Sequence, residues 1–266
     1  MAPALRRAQI LEDIQRNGGQ SVADLARVHS VSAITVHRDL EALAAQGLVE
    51  RVHGGARAIG GRSRAGAPMI ATAWVQRVGQ AAAAKEAIAA HAGTLVPHGS
   101  TIFLDASSTA LALARRLMDG APNELTLVTN SPAIAFEMHA EPVHVVVTPG
   151  ELDQHMRMLA GRWTVEFLAD LNFDLAFVSA AGITLEEGLT TSRRPLADVV
   201  NAARASAERT IALIDSTKFG RASLLQIMRA GDPDLIVTDG GLDAAVADAF
   251  PAAGVRLEIL SSEEKP

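Results

Sequence analysis

Seven short apolar runs restrict the fold of this chain more than any other feature of its sequence. They are TIFLD (101–105), LTLVT (125–129), VHVVVT (143–148), FDLAFVS (173–179), TIALID (210–215), LIVTD (235–239) and VRLEIL (255–260), each separated from the next by a helix-sized stretch. Runs this short and this rich in Val, Ile and Leu mark strands, and the absence of polar alternation means that both faces are covered. Sheets covered on both faces are mostly parallel, with helices in the crossovers. The runs therefore predict an α/β fold with a doubly wound, mostly parallel sheet. A helix over 80–92, with Lys85, Ile88 and an alanine-rich face, is expected to pack ahead of the first strand.

The residues before these runs follow a helical period. Apolar positions recur over 4–16 (Leu5, Ile10, Leu11, Ile14), closed by Gly18-Gly19, then over 21–29 and 32–46, which start at Ser21 and Ser32; Gly47 ends the last. A hydroxyl at a helix start accepts from the free N–H groups of the first turn, and Asp24 suits the positive end of the helix dipole. Two short helices joined by the tight segment 29–31 make a helix-turn-helix. LVERV, HGG and ARAI then read as two strands about a turn, the wing of a winged helix. The stretch 54–66, GGARAIGGRSRAG, has no apolar periodicity and runs from that turn into a linker. The expected division is a winged helix-turn-helix DNA-binding domain at 1–58, a linker at 59–74 and an α/β effector-binding and oligomerisation domain at 75–266.

Charge separates the same regions. Residues 1–66 hold nine Arg, no Lys and six acids, a balance of +3 in a chain of net charge −6, so the remainder carries −9. A basic head on an acidic body brings only the head to a polyanion. In the third helix Val36, Leu40 and Leu43 share one face, which turns Ile34 and Arg38 outward with Thr35 and His37 on the flanks. An outward Arg can donate two parallel bonds to a guanine edge, and Ile34 can touch a thymine methyl; a solvated or phosphate-bound Arg38 fits the same pattern. The candidate DNA-binding residues are Ser32, Ile34, Thr35, His37 and Arg38 on the helix, with Arg51, His53, Gly54 and Arg57 in the wing. Double-stranded DNA is the expected partner.

Ligands of open α/β sheets bind beyond the carboxyl ends of the strands. Those ends lead into Asp105-Ala-Ser-Ser-Thr109, Thr129-Asn-Ser131, Pro149-Gly150, Ala180-Ala-Gly182, Asp215-Ser-Thr-Lys218 and Gly240-Gly241. Hydroxyls, amides and glycines at helix starts suit a phosphate, and Lys218 supplies a neutralising cation. Singly, Ser107, Ser108 and Thr109 can equally cap a helix at 109–118, and Asn130-Ser131 before Pro132 has the same alternative. Convergence of several loops is what points to a ligand. The candidate effector-binding residues are Asp105, Ser107, Ser108 and Thr109 after the first run, and Thr129, Asn130 and Ser131 after the second. Gly150, Gly182, Asp215 and Lys218 complete them.

The chain has no cysteine, which removes disulfides, zinc ribbons, Fe–S clusters and thiol nucleophiles. GxxxxGK[ST], HExxH and GxSxG are absent, and the eight histidines show no metal-like spacing, so neither catalysis nor a cofactor is expected. With no apolar run of the ~18 residues that span a bilayer, and no secretory leader after Met1, the protein is expected in the cytoplasm, without a membrane partner. A sugar-phosphate isomerase with an appended binding module is the alternative, with Asp105, Asp215, Glu186 or Glu187 as a base. Turnover of ribose phosphate separates the two.

SVADLARVHSVSAITVHRDLEALAAQGLVERVHGGA (21–56) resembles the helix-turn-helix of the DeoR family of bacterial sugar-metabolism regulators, with Thr35–Leu40 as its core motif. The resemblance continues through Arg77, Lys85, LDASST (104–109), VTNS (128–131), the turn at 149–150, AAGI (180–183) and DSTKFG (215–220). It implies a regulator, commonly a repressor, whose sensor domain is similar to pentose-phosphate isomerases and answers to sugar phosphates. By position, Ser107, Ser108, Thr109, Asn130 and Lys218 would hold the ligand, with Asp215 orienting Lys218 or a ligand hydroxyl. The family pattern is broken at Ala106-Ser107, at Pro149, and at Ala197 and Asn201 in a helix over 196–208. A homodimer or homotetramer formed mainly through the α/β domains is expected, with two recognition helices on successive half-sites.

Overall fold

The computed structural model describes residues 6–7, 9–11, 13–14, 19–29, 31–45, 48–52, 54–58, 77–120, 124–138, 143–154 and 156–260. They fall into two compact units divided after residue 69.

In the first unit the described residues between 6 and 14 are helical. They are followed by β1 (Gly19–Ser21), α1 (Val22–Val28), α2 (Ala33–Ala45), β2 (Val49–Val52) and β3 (Gly55–Ala58). Both expected caps form. Ser21 Oγ accepts from the Asp24 N–H at 3.1 Å and donates to Asp24 Oδ2 at 2.8 Å, and Ser32 Oγ accepts from the Thr35 N–H at 3.2 Å. Ile10, Ile14, Leu25, Val36 and Leu40 are fully buried in one small core. β1 departs from expectation: Gly18-Gly19 reads as a helix end, yet Gly19–Ser21 pairs with β3 in an antiparallel sheet of order β1-β3-β2. The pairing needs a glycine on the opposite strand, because a Cβ on Gly55 would lie 2.2 Å from the Gln20 carbonyl oxygen.

In chain order the second unit begins with α3 (Ala82–Thr94), β4 (Thr101–Leu104), α4 (Ser108–Met118), β5 (Thr126–Thr129), α5 (Pro132–Glu137) and β6 (His144–Val147). A hairpin of β7 (Glu151–Asp153) and β8 (Met158–Ala160) precedes α6 (Arg162–Ala169), β9 (Phe173–Val178), β10 (Gly182–Thr184) and β11 (Gly188–Thr191). The chain continues through α7 (Arg194–Ala205), β12 (Ala207–Leu213), β13 (Leu225–Met228), β14 (Leu235–Thr238), α8 (Ala244–Ala252) and β15 (Leu257–Ile259).

All seven predicted strands join one sheet of order β15-β14-β12-β9-β4-β5-β6, and every pairing in it is parallel. Period-two alternation divides its side chains. Ile102 and Leu104 of β4 point into a core shared with α3, α4 and α5, whereas Phe103 points into the core that receives α6, α7 and α8. The Phe103 ring meets Phe173 at 5.7 Å between centroids. From β4 the chain moves outward through β5 and β6, then returns past β4 to β9 and onward. The order thus reverses between β4 and β9, and at such a switch point the flanking loops diverge and leave a crevice.

The hairpin β7-β8 and a second sheet, β10-β11-β13, were not predicted. Their strands are only three or four residues long, too short for a periodicity to show. The second sheet hangs from the carboxyl ends of β9 and β12 and packs Ile183, Leu189 and Ile227 into the Phe103 side of the core. It walls one side of the crevice.

Candidate functional site

In the first unit, burial sorts α2 as its spacing requires: Val36 and Leu40 are fully buried, while Ile34 is 67% exposed and His37 and Arg38 are exposed. Thr35 is half-buried and its hydroxyl lies 2.9 Å from Ser32 Oγ, so Ser32 caps the helix before it can serve any ligand. Arg51 of β2 donates to His37 Nδ1 at 2.8 Å and reaches the His37 carbonyl at 3.4 Å. That bond leaves Nε2 as the donor of a neutral imidazole and ties the wing to the recognition helix. Gly54 makes the wing turn with φ at +79°, and its carbonyl accepts from the Val22 N–H at 2.8 Å. Arg57 lies on β3 opposite Glu50. His53 lies outside the described residues.

The sequence reasoning missed Asp39. It is 5% exposed and accepts from Arg6 Nε at 2.6 Å, with Arg7 Nε at 3.6 Å, so it pins residues 6–7 to α2. The signal was present, because an acid at the i+3 position of the Val36, Leu40, Leu43 stripe must be buried and therefore paired.

In the second unit a cavity of about 310 Å³ opens at the switch point, with a second of about 260 Å³ beside it. Arg77, Ser108, Asp215 and Lys218 line both. Asp105, directly after β4, is 1% exposed; its carboxylate accepts from the Ser107 N–H at 3.0 Å and, across the switch point, from the Ser179 N–H at 2.8 Å. Burial pushes this carboxyl above its ordinary value, against the pull of Ser107, of the two backbone N–H groups and of the Arg77 charge. Ser107 Oγ caps α4 by accepting from the Ala110 N–H at 3.0 Å. The remaining first-turn N–H groups of α4, which no helical carbonyl can take, thus begin where Ser107, Ser108 and Thr109 line the cavity. Asp215, 3% exposed, accepts from the Thr217 hydroxyl, and Lys218 stands at the end of the same turn.

Six of the predicted effector residues therefore meet at one cavity: Asp105, Ser107, Ser108, Thr109, Asp215 and Lys218. Five do not line it, and each is used otherwise. Thr129 donates to the Leu104 carbonyl at 2.8 Å and accepts from the Ser131 N–H, while Ser131 caps α5 through the Ile134 N–H at 3.3 Å. Asn130 is fully buried and donates to the Leu159 carbonyl of β8 at 2.9 Å. Gly150 and Gly182 permit close packing, since a Cβ would lie 2.1 Å from Thr164 Oγ1 in one case and 2.4 Å from the Arg221 carbonyl oxygen in the other.

The structure adds lining groups that the strand-end rule did not supply. Thr191 ends β11, Ser192 and Arg193 lie between it and α7, Leu196 is in the first turn of α7, Met156 is in the β7–β8 turn, and Ser179 follows β9. Arg77 precedes α3 and donates to the Met156 carbonyl at 3.4 Å. The second cavity is strongly basic, with Lys85 and Arg221 beside Arg77 and Lys218. Lys85 is 5% exposed and donates to the carbonyls of Arg77 and Gln80. Burial lowers the pKa of Arg77 and of Lys85; Asp105 and Asp153 work against it at Arg77, and Asp215 does so at Lys85. Arg193 lowers Arg77 further, and Lys218 and Arg77 lower Lys85 further. An arriving anion relieves that crowding of cations.

Two family models match the chain: a "DeoR-like helix-turn-helix domain" over residues 6–61 and a "DeoR C terminal sensor domain" over residues 80–240. The chain is 34% identical over 260 residues to the HTH-type transcriptional regulator GolR of Listeria innocua, covering 97% of this chain and 99% of that protein. It is 27% identical over 260 residues to the glycerol-3-phosphate regulon repressor of Escherichia coli, covering 97% and 100%. Among solved structures, ribose 5-phosphate isomerase A from Neisseria gonorrhoeae is similar at 13% identity and a TM-score of 0.39, over 53% of this chain and 54% of that one. That last likeness is too distant to bear on chemistry.

Proposed function

This chain belongs to the DeoR family of helix-turn-helix transcriptional regulators, and from that premise we propose that it is a sequence-specific repressor of carbohydrate-metabolism genes, controlled by a phosphorylated sugar held in the switch-point cavity. One observation carries the effector assignment. In a region of net charge −9, Arg77, Lys85, Lys218, Arg193 and Arg221 gather around two adjoining cavities, together with hydroxyls and the first turn of α4. Cations, hydroxyls and free helix N–H groups are the chemistry that binds a phosphate. The likeness to the glycerol-3-phosphate regulon repressor supports a phosphorylated ligand.

In this proposal the DNA surface is the exposed face of α2, with Ile34, His37 and Arg38 toward base edges and Arg51 positioning His37. Residues 59–74 link the DNA-binding domain to the sensor. The sensor domain also joins copies of the chain into a dimer or tetramer, and the protein works in the cytoplasm. No helix among the described residues is long and apolar enough to cross a membrane. The effector acts by binding one arrangement of the protein more tightly than another.

Fluorescence anisotropy of the full chain on its own upstream DNA, at fixed salt, tests this with and without a panel of sugar phosphates. Specific binding altered by a sugar phosphate is the expected result. Specific binding that none of them alters would remove the effector role from the cavity, and turnover of ribose 5-phosphate would replace the sensor with an isomerase.

A further inference from the structure

We propose that the effector carries an anionic group at each end, which places it in the class of sugar bisphosphates and phosphorylated sugar acids; this rests on the cavity being the effector site. The two cavities share the wall formed by Arg77, Ser108, Asp215 and Lys218. Past that wall, the second cavity reaches Lys85 and Arg221, which the first does not touch. In the other direction the first cavity reaches Ser192 and Arg193, which the second does not touch. Cations therefore stand to either side of the shared wall, Arg193 in one cavity and Lys85 and Arg221 in the other, with Arg77 and Lys218 in the wall itself. Arg193, Lys218 and Arg221 make no ion pair among the described residues.

The buried carboxylates also line these cavities, Asp215 in the shared wall beside Arg77 and Lys218, and Asp105 in the first cavity. A carboxylate accepts hydrogen bonds from sugar hydroxyls and repels phosphate. The hydroxyls of a ligand are favoured beside Asp105 and Asp215, and its anionic groups beside Arg193 on one side and Lys85 and Arg221 on the other. At the Arg193 end the first turn of α7 adds the Leu196 N–H, because that helix has no side-chain N-cap and Pro195 has no N–H to give. Ala106, Ala180, Met156 and Leu196 supply apolar surface there for a carbon skeleton rather than for free phosphate. A ligand with a single phosphate in the basic second cavity leaves the Arg193 charge unanswered, whereas a second phosphate or a carboxylate completes the site.

Isothermal titration of the full chain with two matched pairs tests the proposal: fructose 6-phosphate against fructose 1,6-bisphosphate, and glucose 6-phosphate against 6-phosphogluconate. At least one two-ended member is expected to bind about tenfold or more tightly than its one-ended partner, the worth of one added charge-assisted contact. The pair that shows the gain tells a phosphate from a carboxylate at the Arg193 end. Arg193→Gln is expected to shrink that ratio to about twofold, and Arg193→Lys to keep most of it. Equal affinities within both pairs would overturn the proposal and leave the effector site standing. A ratio untouched by Arg193→Gln would also overturn it. Absence of binding by all four compounds, with DNA binding also unaltered by the wider panel of sugar phosphates, would remove the effector reading itself.

Discussion

The groups of the DNA-binding unit proposed to meet phosphate and bases stand outside a small core, whereas those of the sensor unit proposed to meet the effector surround a hollow. Ile34 is 67% exposed and Arg38 is exposed, while Asp105 and Asp215 are 1% and 3% exposed. An exposed cation reaches a phosphate with little loss of hydration, and salt screens what it gains. An enclosed group is screened less, but it must be paired or hydrogen-bonded, as Asp105 is by two backbone N–H groups. The first arrangement suits a ligand whose backbone is everywhere charged and whose bases differ by a few edge contacts. The second suits one small molecule. The two units also differ in reserve, since among the described residues the first rests on one core of nine buried side chains and the second on two larger clusters across a sheet.

That difference in reserve sets the largest expected effect. Leu40 is fully buried in the small core, and Leu40→Ala removes about 2–5 kcal/mol. Calorimetry should show the DNA-binding unit melting early, with DNA binding lost and the sensor transition in place. A common shift of both transitions would break the comparison, because the units would then share one cooperative fold.

Next in size is Lys218→Ala, which removes a cation from the wall shared by both cavities. A charge-assisted hydrogen bond is worth about 1.5–3 kcal/mol, so the affinity for a sugar phosphate should fall by one to two powers of ten in a titration, roughly. A loss confined to binding at low salt would mean that Lys218 acts as an exposed charge, like those of the DNA-binding unit.

The same contrast decides how much could be read from the sequence. The seven strands were legible because a strand buried on both faces must be apolar throughout, and the stripe of α2 was legible because one side of it is buried. The six cavity residues found at strand ends followed from the position of the switch point. Arg77, Ser179, Ser192 and Arg193 line the cavity without standing in a predicted strand-end loop: Arg77 lies before the first strand, Ser179 closes the run 173–179, and Ser192 and Arg193 follow β11, whose four residues GLTT carry no strand period. Thr129, Asn130 and Ser131 do not line the cavity, because a hydroxyl or amide at a strand end serves a cap or a neighbouring carbonyl as readily as a ligand, and composition does not distinguish them.

Arg38→Ala follows in size. If the guanidinium reads a guanine, about 1–3 kcal/mol of discrimination is lost and the preference for the operator relaxes. Anisotropy on operator and scrambled DNA over a range of salt separates this from phosphate contact. An equal loss on both sequences, with the salt slope reduced by about one, would place Arg38 on the backbone.

The smallest effect belongs to Arg51→Ala. Arg51 bonds His37 Nδ1 at 2.8 Å on an exposed surface, and an ordinary hydrogen bond contributes about 0.5–1.5 kcal/mol. If its work is to hold the imidazole with Nε2 as donor, DNA affinity should drop a few-fold while the melting temperature hardly moves. His37→Ala should then cost about as much as the double variant, because Arg51 acts through His37 and the two losses do not add. Additive losses would instead give Arg51 its own contact with DNA, and the wing would join α2 as a second outward surface.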